Sequence, residues 1–141
     1  MREIRFRGKT EPDGRWVYGS LISRRVFSGW LHWITYQELV DKKNELWLDC
    51  EARVRVKSET VGQYTGLKDK NGVKIFEGDI LGGIVDGGVV VWIDRETRYG
   101  ISLLGEVHEV YLQELEQADL EVIGNKWDDS SLLLGGKQDD S

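Results

Sequence analysis

One cysteine and one proline occur in 141 residues, and no apolar run approaches the length of a membrane span. A single Cys50 rules out an intramolecular disulfide framework and a cysteine-rich zinc site. It suits a reducing compartment. Its neighbours in LWLDCEARV make it a small buried hydrophobe rather than a nucleophile. A spanning helix needs about 20 consecutive apolar residues, so no membrane partner is expected. The opening MREIRFRGKT alternates charge with Ile4 and Phe6 where a secretory signal would carry an apolar stretch. Catalytic signatures are missing too: there is no GxSxG, no phosphate loop and no GxGxxG opening a helix. Histidine is scarce, and His32 and His108, in WLHWI and EVHEV, lack a zinc-ligand spacing. No cofactor is expected, and the chain is not expected to be an enzyme.

What the chain does have is 17 glycines, six tryptophans and 40% hydrophobic residues. A chain of this length suits one domain or two very small ones, and can bury a core without covalent staples. The net charge of −6 argues against a general nucleic-acid coat protein. The charge is uneven. Residues 1–70 hold 14 Lys and Arg against 10 Asp and Glu, whereas residues 71–141 hold 5 against 15. Opposite excesses of this kind can bring subunits together.

Alternation dominates the local pattern. In EIRFRGK, Ile4 and Phe6 face one way and Arg5 and Arg7 the other, as in a half-buried strand. Glu11-Pro12-Asp13-Gly14 is a turn, with proline presetting φ. RWVYGSLI returns, so residues 3–22 form a hairpin. In WLHWI both faces are apolar, which suits a buried or interface strand. TYQELVDKK could form about two turns of helix, with Thr35 as N-cap and Glu38 as its partner. ARVRVKS alternates again. EGDILGGIV, GGVVVWI, RYGISLL and DLEVIGN are four short strands separated by turns, and EVHEVYLQELEQA reads as a strand followed by a helical turn. The expected fold is mainly β with little helix: an N-terminal β-unit of residues 1–60 packed on an SH3-like small barrel of residues 61–134. Residues 135–141 are expected to be a disordered tail.

The stretch Thr60–Leu81, TVGQYTGLKDKNGVKIFEGDIL, holds four glycines and three carboxylates, Asp69, Glu77 and Asp79. Three carboxylates could make an oxygen-rich cation site. Turn chemistry explains them without a metal. Asp69-Lys70-Asn71-Gly72 is a turn in which Asp accepts backbone N–H groups and Asn-Gly takes positive φ. Gly78 and Asp79 shape a sharp lead into the strand Ile80-Leu81. Asp69, Asn71, Gly72, Gly78 and Asp79 are therefore expected to be structural.

This stretch, from Glu59 to Leu81, resembles the most characteristic part of the YopX family of phage and prophage proteins. MREIRFRGK, DGRWVYGSLI and the late DLEVIGNKWDDSSLL resemble the family's two ends, so the likeness covers about residues 1–134. Residues 23–50 carry no family landmark. The closing segment departs from the family pattern at Lys126-Trp127-Asp128-Asp129. The resemblance implies a bacteriophage or prophage protein in bacterial host cytoplasm, with self-association and no catalytic residue to carry over.

Two functions of different class follow. The first is a non-enzymatic interaction or regulatory protein that binds an unknown phage or host protein and forms a homo-oligomer, with Trp30, Trp33 and Ile34 as the candidate interface. The second is a nucleic-acid-binding accessory protein. It would use the basic first hairpin, where Arg5, Arg7, Lys9 and Arg15 lie among Trp16, Tyr18, Trp30 and Trp33.

Overall fold

In the computed structural model, residues 3–38, 50–83, 87–103 and 106–129 are described. The protein is mainly β. The chain divides into two compact units, residues 1–63 and 64–141.

The first unit is built on β1 (Phe6–Lys9), β2 (Trp16–Val26), β3 (Gly29–Glu38) and β4 (Cys50–Val56), in the order β4-β3-β2-β1. All pairings are antiparallel. Outside β1, the first residues of β5 (Gly62–Lys68) pair as Phe6 with Gln63 and Arg7 with Gly62. Alternation fixes which face is apolar. Residues directly opposite one another in a ladder share a face. Leu21, Ile34 and Val54 therefore lie in one row, and Val17, Ile34 and Val56 form the buried core with Phe6, Leu21, Val54 and Val61 against it.

Two expectations change here. The hairpin does not end near residue 22, because β2 runs to Val26 in unbroken register with β3. The helix beginning at Thr35 is not formed: Thr35–Glu38 continue β3, with Thr35 opposite Ser20 and Arg53, and Glu38 opposite Cys50. Two turns of isolated helix are marginal in water, and ladders on both sides offer more hydrogen bonds. The remainder of that helix, the side chains of Cys50 and His108, and the tail 135–141 lie outside the described residues.

In the second unit the rest of β5 pairs with β6 (Lys74–Phe76). A five-stranded antiparallel sheet follows, built from β7 (Asp79–Gly83), β8 (Gly88–Ile93), β9 (Arg98–Leu103), β10 (Glu106–Tyr111) and β11 (Leu120–Asn125) in the order β10-β9-β8-β7-β11. Short 3-10 turns at Asp94–Glu96, Leu112–Glu114 and Gln117–Asp119 connect them. Ile75, Leu81, Val90, Ile101, Leu112 and Leu120 form its core. Each is essentially sealed from water, worth about 1.5–3 kcal/mol apiece relative to exposure. Among the described residues no helix is long and apolar enough to cross a membrane.

Candidate functional site

Two of the three carboxylates of the Thr60–Leu81 stretch, Asp69 and Asp79, turn inward, and Glu77 stays partly exposed. Asp69 is 1% exposed. Its Oδ1 accepts the backbone N–H groups of Asn71 and Val73 at 2.8 and 2.9 Å, closing the turn locally. Its Oδ2 accepts the N–H of Val122 in β11 at 2.9 Å. Its carbonyl accepts Gln117 Nε2 at 2.8 Å and the Gly72 N–H at 3.0 Å. Burial alone would raise this carboxyl, but the bonds from Val122, Val73 and Asn71, with Lys70 nearby, hold it below the usual carboxylate range.

Asp79, 2% exposed, accepts the Phe76 N–H at 2.8 Å and braces the bend between β6 and β7. Gly78 sits in that bend at φ +91°, donating to the Val90 carbonyl and accepting from the Lys126 N–H, both at 2.9 Å. A Cβ on Gly78 would lie 2.3 Å from the indole ring of Trp127. The backbone that carries that ring is held by Asn125, whose Oδ1 accepts the Trp127 backbone N–H at 3.0 Å. Asn71 lies in the Asp69 turn, and Gly72 there takes φ +81° with open space around it.

Among the described residues no group of three or more His, Cys, Asp or Glu side chains converges. A pocket of about 240 Å³ opens beside Tyr64, Leu67, Leu115 and Leu120, with Lys68 as the cation on its lining. That is below the usual size of a small-molecule site, about 300 Å³ and up.

The first unit differs. Arg5 and Arg15 are held in exposed local pairs, with Glu3 at 2.9 Å and Asp13 at 3.1 Å. Exposed pairs of this kind contribute little to stability. The Thr10 hydroxyl, which donates to Asp13, and then the Arg15 guanidinium lower the Asp13 carboxyl. Arg7 is buried, its guanidinium 4.7 Å from the centre of the Trp16 ring, and Lys9 approaches the same ring at 5.6 Å. Ile34 is fully buried in the core, so it is unavailable to a partner. In WLHWI, paired with β2 on one side and from His32 with β4 on the other, Ile34 fills the core while Leu31 and Trp33 lie half-buried on the opposite face. Trp30 is 54% exposed, with the Arg25 guanidinium 6.0 Å from its ring, and Trp33 is half-buried with Arg53 5.6 Å away.

The register reveals a surface that the sequence reading passed over. Opposite the core, the same face of β2–β4 carries Ile22, Trp33 and Arg55 in one row, Arg24 and Leu31 in the next, and Ser20, Thr35 and Arg53 in a third. Arg24, Arg53 and Arg55 are exposed. Beyond the Ser23–His32 rung the β2–β3 hairpin continues as a two-stranded arm, with Phe27 fully exposed at its tip. A signal was present: residues 14–37 contain no Asp or Glu, in a chain that has 25.

Two antiparallel β-units, the second with buried carboxylates engaged by backbone and the first with exposed arginines on one sheet face, define a small, mainly β protein. The YopX family model, described as YopX protein, matches residues 5–134, and the chain belongs to that family. No curated protein matches the chain.

Proposed function

We propose that the protein is a phage- or prophage-encoded interaction or regulatory module that works in the bacterial host cytoplasm by binding and not by catalysis. The carrying observation is the contrast between engaged and exposed side chains. Asp69 and Asp79, the carboxylates a hydrolytic or metal-dependent reaction would recruit, are sealed and accept backbone N–H groups. Large apolar side chains that a lone subunit would bury, Phe27 and Trp30, stand in solvent on the β2–β3 arm. Family membership supports the phage origin. Self-association through Trp30 is part of the same reading, since tryptophan and arginine are both enriched among the residues that carry interface binding energy and Arg25 lies beside the Trp30 ring.

The test is purification of the tagged chain, and of its Trp30→Ser variant, from phage-infected host cells. The expected result is a partner in stoichiometric ratio that rebinds from purified components and is lost with Trp30→Ser. A turnover reaction abolished by Glu77→Gln would overturn the reading.

A further inference from the structure

We propose that the outer face of β2–β4 binds single-stranded nucleic acid, with Arg24, Arg53 and Arg55 holding phosphates and Trp33 offering a stacking surface for a base. The inference rests on the reading of the protein as a binding module and names the partner's chemistry. It moves the contact away from Arg5, Arg7, Lys9 and Arg15, which the fold places in local pairs or against Trp16.

Three observations carry it. The first is charge. Among the described residues, Arg24, Arg53 and Arg55 share the face and none of the three is held in an ion pair, while the register places one acidic residue, Glu51 opposite Gln37, at its far end. The adjoining acid-free run of residues 14–37 keeps carboxylates off β2 and off β3 as far as Gln37. The second is the ring at the centre. Trp33 sits between Ile22 and Arg55 across the ladder, with the Arg53 guanidinium 5.6 Å from its centre. An aromatic platform flanked by guanidinium groups takes an unpaired base on its π-face and the adjoining phosphates on the cations. The third is shape. The cations project from a pleated sheet face with apolar Leu31 and Ile22 between them. Such a face accepts splayed bases, as sheet-based single-strand binders do, and offers no helix for a duplex groove.

The net charge of −6 does not oppose this. Screening limits a charge's reach to about 8 Å at physiological salt, so a bound strand senses the local face and not the total. An acidic peptide would satisfy the arginines but leave the Trp33 ring without a flat partner.

The experiment is fluorescence anisotropy with a labelled poly-thymidine strand, a mixed-sequence RNA strand and a duplex, at rising salt. It compares the full chain with Arg24→Ala/Arg53→Ala/Arg55→Ala, with Trp33→Phe, and with Arg95→Ala in the second unit as a control. Circular dichroism checks that each is folded. The expected result is single-strand binding with quenching of tryptophan emission. The triple variant should lose at least about tenfold in affinity, and its salt slope should flatten by about 0.7 for each phosphate contact removed. Trp33→Phe should lose the quenching, and Arg95→Ala should behave as wild type. No binding at low salt, equal binding of the duplex, or binding unchanged in the triple variant overturns the proposal. If instead a purified protein partner needs this face and no oligonucleotide binds, the nucleic-acid inference fails while the reading as a binding module stands.

Discussion

In the second unit the carboxylates of Asp69 and Asp79 point inward, to the N–H groups of Asn71, Val73, Val122 and Phe76. In the first unit the arginines at 24, 53 and 55 point outward, from the sheet face opposite the buried core of Val17, Ile34 and Val56. The difference separates two uses of charge. A buried carboxylate that satisfies backbone donors specifies a fold, and its removal strands those donors. An exposed guanidinium contributes little to folding and remains available to a partner. The stretch that resembles the family most is therefore where the fold is held. The arm, residues 24–31, lies within the region that has no family landmark, and the sheet face draws half of its residues from outside it.

Asp69→Ala should have the largest effect on this contrast. It leaves three backbone N–H groups without an acceptor and should cost about 4 kcal/mol in a denaturant titration. A loss under about 1 kcal/mol would break the comparison, because the carboxylate would then be no more structural than a surface charge. Gly78→Val comes next. It adds strain at φ +91° to a collision with the Trp127 ring, for about 3 kcal/mol. Gly72→Val carries only the backbone term, since nothing lies within 4 Å of its Cβ position, and should cost about 1 kcal/mol.

Acid should reproduce part of the Asp69 effect. The native carboxyl titrates below its unfolded counterpart, so its contribution is present in full above the ordinary carboxylate range and is lost as pH falls through the lower native value. The denaturation midpoint should therefore drop below about pH 4, and Asp69→Asn should flatten that drop. Trp30→Asp should change stability little, because the side chain is exposed, yet light scattering should show an oligomer separating into folded monomers. A mass fixed at 16.2 kDa for wild type across concentration and salt removes self-association from the proposed function. The smallest stability effect belongs to Arg24→Ala, Arg53→Ala and Arg55→Ala, each within about 0.5 kcal/mol.

The sequence carried the class of fold through alternation in ARVRV and GGVVVWI, which fall in β4 and β8; in EIRFRG the expected faces do not hold, because only Phe6–Gly8 enter β1, Ile4 is exposed and Arg7 is buried. It misled at Thr35–Glu38, where a capping-box pattern was present but the neighbouring strands decided the outcome. At the Asp69 turn the local chemistry of Asp-Lys-Asn-Gly was legible. The bond from Val122 was not, because nothing local marks a donor 53 residues away. The local sequence points Ile34 to an interface because its neighbours are apolar on both parities. Only the register against Leu21 and Val54 shows which parity is inside. The arginine face escaped for a related reason: Arg24 and Arg55 are far apart in the chain and become neighbours only when Leu31 and Trp33 are laid between them.

The strand order of the second unit has a consequence for the moment of synthesis. β7, the earliest strand of the sheet β10-β9-β8-β7-β11, is flanked by the last, and Asp69 waits for Val122. A ribosome adding about 5–20 residues per second takes several seconds to cover that interval. The β2–β3 hairpin closes on itself within about 10 microseconds of becoming free. For those seconds one edge of β7, with Ile80 and Leu81, has no strand beside it and offers itself to any other extended chain. During translation the nascent second unit, and not the β2–β3 arm, is therefore the part whose strand edge stays open longest.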